Sequence, residues 1–148
     1  MNLLFVCTGN TCRSPMAEAI FRSKNIPGVN VKSAGVYADN YSMASLNTVQ
    51  VLAEKGIAIH HQSQSLSEEL MNWASLVLTM TAGHKQLVLN NFPAASHKVF
   101  TLTEYAGEKQ IGDVIDPFGG SLEIYKETYH ELTDLIDKLK VKLERDMS

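Results

Sequence analysis

Asn2-Leu3-Leu4-Phe5-Val6-Cys7-Thr8-Gly9-Asn10-Thr11-Cys12-Arg13-Ser14-Pro15-Met16 is the stretch on which the architecture turns. Residues 2–6 are an apolar run of strand length, Gly9 and Asn10 signal a tight turn, and a helical pattern starts at Ser14 and Pro15. Proline suits the first helical position, where its missing N–H would have no partner anyway, and serine suits the N-cap. Met16, Ala19 and Ile20 then share a face. The order is strand, loop, helix, with the loop wrapping into the helix N-terminus.

The same alternation continues outward. A second strand is expected over 29–33 and a helix over about 44–55, with Val49, Leu52 and Ala53 on one face and Gly56 as its stop. Ser65-Leu66-Ser67-Glu68 has the form of a capping box and opens a short helix through Trp73. A third apolar strand follows over 76–80, a helix over 82–91 and a fourth strand over 99–102. From Ser121 to about Arg145 a long amphipathic helix sets Leu122, Tyr125, Tyr129, Leu132, Leu135, Ile136, Leu139 and Leu143 along one side, where it can close the second face of a sheet. Strands alternating with helices predict an α/β fold, a doubly wound four-stranded parallel sheet with helices on both faces. In such sheets ligands bind beyond the carboxyl ends of the strands, where strand order reverses, and Cys7 falls there. Residues 106–120 form a loop carrying Gly107, Gly112, Asp116, Pro117, Gly119 and Gly120, and connections of that length in compact domains usually carry function or are disordered.

At 148 residues, without repeat or linker, the chain has the length of a single domain, 1–148. Its 45% hydrophobic and 20% charged residues speak against both a disordered chain and a membrane protein. The apolar run at 3–7 is far short of the roughly 18 residues of a span, and no basic segment precedes it as in a signal peptide, so a cytoplasmic location is expected. A net charge of −3 with no basic tract argues against nucleic acid as a partner. Lys138, Lys140, Lys142 and Arg145 read as the solvated last turns of a helix. Two cysteines make no disulfide scaffold, and His60, His61, His84, His97 and His130 show no metal-site spacing, so neither a metal nor a cofactor is expected.

Cys7, five residues, Arg13, then Ser14 and a helix start form a pattern that its context sharpens. A loop entering a helix N-terminus turns successive N–H groups inward, making a cup for a tetrahedral oxyanion that the helix dipole also favours. Gly9 permits the tight turn, and Asn10 is among the few non-glycine residues that tolerate a left-handed conformation. Thr8, Gly9, Asn10, Thr11 and Cys12 are the expected lining of the cup. Cys7 is expected as a thiolate, because helix N-termini and nearby cations lower a thiol pKa from about 8.5. Arg13 offers a fork matched to two phosphate oxygens, which lysine cannot do, and Ser14 can donate a hydrogen bond to the sulfur. The plainer readings are a buried core thiol for Cys7, a surface salt bridge for Arg13 and a simple N-cap for Ser14. Asp116, ahead of Pro117, is a candidate to protonate a leaving group and then deprotonate water, with Asp113 as its rival. Cys12 is close enough in sequence to resolve an oxidised Cys7 as a disulfide, or is a small core residue with no redox role.

This loop resembles the signature of the low-molecular-weight protein tyrosine phosphatases, and the likeness spans the whole chain. Ser33-Ala34-Gly35 matches the family's segment after the second strand, His61 following Gly56-Ile57 matches its loop-supporting histidine, and Asp116-Pro117 matches its general-acid loop. The resemblance implies a phosphatase that forms a cysteinyl-phosphate on Cys7, with Arg13 holding the phosphoryl group and Asp116 supplying the proton. It favours Asp116 over Asp113. It also implies that Ser14, Ser33 and His61 fix Asn10 by hydrogen bonds; otherwise His61 is an ordinary exposed histidine beside His60.

Two departures from the tyrosine-specific pattern bear on the substrate. Thr11 stands where a branched apolar residue is usual, and Phe118-Gly119-Gly120 stands where two aromatic residues would frame a slot for a phenol ring. Both features are similar to the protein arginine phosphatases of Gram-positive bacteria, the branch in which that threonine is a specificity determinant. A phosphoguanidinium is planar, polar and cationic, and a hydroxyl with the Asp116 carboxylate suits it better than an apolar wall. Thr11 bonding its own loop backbone is the plainer alternative. The expected function is hydrolysis of phosphoarginine in phosphorylated proteins by a monomeric enzyme. A tyrosine phosphatase of the same fold and a non-catalytic phosphosite-binding module are the alternatives; arsenate reductases share the fold but need downstream cysteines absent here.

Overall fold

The computed structural model describes residues 1–107 and 112–147. Four strands, β1 (Asn2–Cys7), β2 (Asn30–Gly35), β3 (Leu76–Thr79) and β4 (Val99–Thr101), pair in parallel in the order β2-β1-β3-β4. The chain passes from β1 to β2 on one side and reaches β3 on the other. Strand order therefore reverses at the carboxyl end of β1, where Cys7 is paired with Gly35.

Side chains alternate across a strand, so Leu3, Phe5 and Cys7 face one layer and Leu4 and Val6 the other. The first layer holds α1 (Arg13–Ser23), α2 (Leu46–Glu54) and α6 (Leu122–Met147), packed through Met16, Ile20, Phe21, Leu52, Leu132, Ile136 and Leu139. The second holds α3 (Glu68–Trp73) and α4 (Ala82–Asn91), through Leu70, Met71 and Val88. Both faces are covered, which is why β1 is apolar along its length and Leu3, Leu4, Phe5 and Val6 are wholly buried. The long helix lies along its predicted seam, but on the α1 side of the sheet; α3 and α4 close the opposite face.

Local details depart from the sequence reading for identifiable reasons. Helix α1 begins at Arg13, with Cys12 at the N-cap and no side-chain cap, so Ser14 is not the cap but a first-turn residue. Pro15 remains in the first turn, where no N–H is needed. Strand β2 starts a residue late and runs on to Gly35 because it pairs with β1 as far as Cys7. In α2, capped by Ser45, the buried face is Thr48, Val51 and Leu52 while Val49 is exposed, since the Thr48 hydroxyl turns toward the first loop and donates to the Thr11 carbonyl at 3.4 Å. The capping box at 65–68 does not form: Ser67 caps α3 by accepting from Leu70 N, and the Ser65 hydroxyl donates to the Ala38 carbonyl. A capping box occurs instead at Thr101 and Glu104, opening a short helix α5 (Leu102–Tyr105) that ends β4 at Thr101. Of the loop predicted over 106–120, residues 108–111 lie outside the described residues.

Candidate active site

The loop after β1 is held from beneath by the segment after β2. Val36 N donates to the Cys7 carbonyl at 2.9 Å and Tyr37 N to the Thr8 carbonyl at 3.0 Å. This approach requires Gly35, where a Cβ would stand 2.4 Å from the Thr8 oxygen. Asn10 takes the left-handed conformation at φ 57° and is completely buried. Its amide nitrogen donates to Ser14 Oγ at 2.8 Å and Ser33 Oγ at 2.9 Å, and its Oδ1 accepts from Gln64 N at 3.0 Å. His61 Nε2 lies 2.6 Å from the Asn10 carbonyl, so this histidine grips the main chain and not the amide. Ser33 passes its own hydrogen to Glu18 Oε1 at 2.6 Å. Of these partners, Gln64, acting through its backbone, and Glu18 carry no sequence signal.

Ser14 Oγ lies 2.8 Å from Cys7 Sγ. Ser14 Oγ accepts from Asn10 and can give its own hydrogen to the Cys7 thiolate, which is why it lowers the thiol pKa. Cys7 is 3% exposed, and burial pushes its thiol above the ordinary value. The Ser14 hydroxyl, the N–H groups of Ser14 and Asn10, and Arg13 pull the other way without cancelling it. The depressed thiol pKa expected from the loop is therefore reversed by desolvation, which penalises the charged form.

Arg13 is buried, not a surface ion-pair residue. Its Nη1 donates to the Val114 carbonyl at 3.1 Å, and Nη2 lies 3.5 Å from both Thr8 Oγ1 and Asp116 Oδ2. Asp116 is half-exposed, and its Oδ1 accepts from Phe118 N at 3.1 Å across Pro117. Asp113 turns away: its Oδ1 accepts from Ala82 N at 2.9 Å, clamping the loop to the first turn of α4. Cys7, Thr8, Gly9, Thr11, Cys12, Arg13, Asp116 and Phe118 together line a cavity of about 250 Å³. Among the described residues the Thr11 hydroxyl makes only a long, 3.8 Å contact to Cys12 Sγ and no backbone hydrogen bond, so it remains available to a ligand. Cys12 is buried against Tyr125 Oη at 3.4 Å and Ser45 Oγ at 3.6 Å, and both cysteines are free.

Two residues near the site escaped the sequence reading. His84 Nε2 sits 2.8 Å from Thr8 Oγ1, and burial together with Arg13 lowers its pKa to about 4. Glu131 of α6 faces the Asp116 loop; burial raises its pKa, opposed by the Ile115 N–H and by Arg13. Neither lies in a motif, because each is brought in by packing of a distant helix. Among the described residues no helix is long and apolar enough to cross a membrane, and no group of three or more His, Cys, Asp or Glu is placed to hold a metal.

Residues 2–148 match the family described as low molecular weight phosphotyrosine protein phosphatase. A protein-arginine-phosphatase of Bacillus subtilis is 51% identical over 99% of both chains. A low molecular weight protein-tyrosine-phosphatase, PtpB, of Staphylococcus aureus is 44% identical over 95% of this chain and 97% of its own. Among solved structures, a YwlE arginine phosphatase C7S mutant with a phosphorylated active-site serine superposes with a TM-score of 0.95, at 50% identity, over 99% of this chain and 97% of its own.

Proposed function

The chain belongs to the low-molecular-weight phosphotyrosine protein phosphatase family, and from that premise we propose that it is a protein arginine phosphatase acting through a phosphocysteine. The observation that carries the reading is the convergence of Cys7, Arg13 and Asp116 on one cavity beside a free Thr11 hydroxyl. Cys7, a thiol at rest, passes its proton to a non-bridging oxygen of the entering phosphoryl group and attacks phosphorus as the thiolate; the phosphorus–nitrogen bond breaks, and the acid form of Asp116 gives its proton to the departing guanidino nitrogen. Water then attacks the phosphocysteine, Asp116 takes its proton, and sulfur leaves as thiolate with inorganic phosphate as product. Arg13 and the loop N–H groups hold the equatorial oxygens throughout, and the Ser14 hydrogen bond eases departure of the sulfur.

The substrate assignment is supported by Thr11, by the two glycines after Phe118, and by relatives of about 50% identity named protein-arginine-phosphatase. Tyrosine phosphatase activity is the second reading, favoured by the 44% identical PtpB and by the exposed Phe118 ring at the cavity wall. The proposal includes a monomeric, cytoplasmic enzyme whose partners are phosphorylated proteins. A net charge of −3 without a basic tract supports leaving nucleic acid out.

The test is kcat/KM on a phosphoarginine and a phosphotyrosine peptide for the wild type and Thr11→Ile, which keeps the β-branch and removes the hydroxyl. A site that hydrogen-bonds a polar group discriminates sharply against its loss. Phosphoarginine turnover should fall strongly while phosphotyrosine turnover holds or rises; an unchanged ratio defeats the arginine assignment.

A further inference from the structure

We infer that His84 is a positioning residue for the phosphate cup, setting the Arg13 fork through the Thr8 hydroxyl. The inference is independent of which phosphoamino acid is the substrate and rests only on the cup holding a phosphoryl group.

The backbone beneath the ring is clamped. Thr81 Oγ1 accepts from His84 N at 3.0 Å, and Asp113 holds the adjoining Ala82 N at 2.9 Å, so the first turn of α4 is tied to the loop that carries Asp116. The ring is 6% exposed and reaches Thr8, the residue after the nucleophile, at 2.8 Å. Arg13 Nη2 lies 3.5 Å from the same Thr8 oxygen. A guanidinium only donates, so the Thr8 oxygen accepts from Arg13, and the Thr8 hydrogen is assigned to His84 Nε2. In that assignment the relay runs one way, Arg13 to Thr8 to His84, with the imidazole proton on Nδ1.

Nδ1 is buried and, among the described residues, has no hydrogen-bond partner. An unpaired buried donor costs stability, which leaves the Thr8 contact as the polar interaction that accounts for a histidine here. Among the described residues, the charges facing the ring are Arg13 from α1 and Asp113 and Asp116 from the loop, while the neighbouring Lys85 is paired with Glu104 at 3.0 Å. Burial and Arg13 keep the ring neutral, which leaves one ring nitrogen an acceptor, the role assigned here to Nε2. A protonated ring would donate at Nε2 and leave Thr8 between two donors.

Calorimetric titration with inorganic phosphate tests this. His84→Leu should weaken phosphate binding about tenfold, the scale of one charge-linked hydrogen bond. His84→Gln, whose amide oxygen can accept where Nε2 does, should return affinity to within about threefold of wild type. Thr8→Val should reproduce the loss, and the double variant Thr8→Val with His84→Leu should be no weaker than Thr8→Val alone. Nitrogen-15 NMR at neutral pH should find the ring proton on Nδ1. The inference is overturned if His84→Leu binds phosphate like the wild type, if glutamine fails to restore what leucine loses, if the two losses add, or if Nε2 carries the proton. Should His84→Leu not fold, Thr8→Val and the tautomer measurement decide alone. A wild-type cup that takes no phosphate would instead refute the reading of the site, and this inference with it.

Discussion

Asn10→Ala should be among the most damaging substitutions outside the reacting groups, although the residue is not itself expected to react. The amide makes three hydrogen bonds, buried ones to Ser14 and Ser33 and a partly buried one from Gln64 N, each worth about 1 kcal/mol net. Alanine at φ 57° adds roughly 1 kcal/mol for a left-handed residue that asparagine tolerates better. The total is about 4 kcal/mol. For a chain of 148 residues the unfolding entropy is about 0.3 kcal/mol/K, so Tm should fall by about 13 °C. Asn10→Gly removes the same bonds but relieves the backbone, and should fall by roughly 10 °C. Scanning calorimetry on the two variants measures both terms, with phosphate titration as a second readout, because Ser14 loses the amide that holds its hydroxyl beside the sulfur. A drop below about 3 °C, or an alanine variant no worse than glycine, would refute the reasoning.

Asp116→Asn should lower turnover by about 10²- to 10⁴-fold, the usual range for a general acid, while Asp113→Asn, whose amide oxygen can still accept from Ala82 N, should leave steady-state turnover near wild type; the reverse order would mean the acid is misplaced. Ser14→Ala removes the strongest influence lowering the Cys7 pKa, so the pH midpoint of iodoacetamide alkylation should move further up, and a midpoint that stays or falls contradicts the hydrogen-bond direction. After peroxide treatment, thiol should restore the wild type more fully than Cys12→Ser, since Cys12 is the free thiol that can trap a sulfenic acid on Cys7 as a disulfide; equal recovery rules out protection.

The parts of this protein legible in its sequence are those whose physics is local. An apolar strand running into a glycine turn and a helix start defines the cup, and strand–helix alternation defines the parallel sheet, because both depend on neighbouring residues and short periods. A serine before a proline, however, reads as an N-cap from sequence alone. Only the wrapped loop, held by Gly35 and Gln64, starts the helix at Arg13 and turns the Ser14 hydroxyl onto sulfur. Likewise Asp113 and Asp116 are chemically equivalent along the chain, and what separates them is that α4 offers an unpaired N–H to one while the cavity receives the other. The Cys7 thiol gives the sharpest contrast. Its neighbours in sequence argue for a low pKa, yet the fold removes water from the sulfur, and desolvation is a property of every atom packed around a group, whatever its distance along the chain. His84 reaches Thr8 across 76 residues for the same reason: no local pattern encodes a contact that exists only once α4 has docked on the sheet.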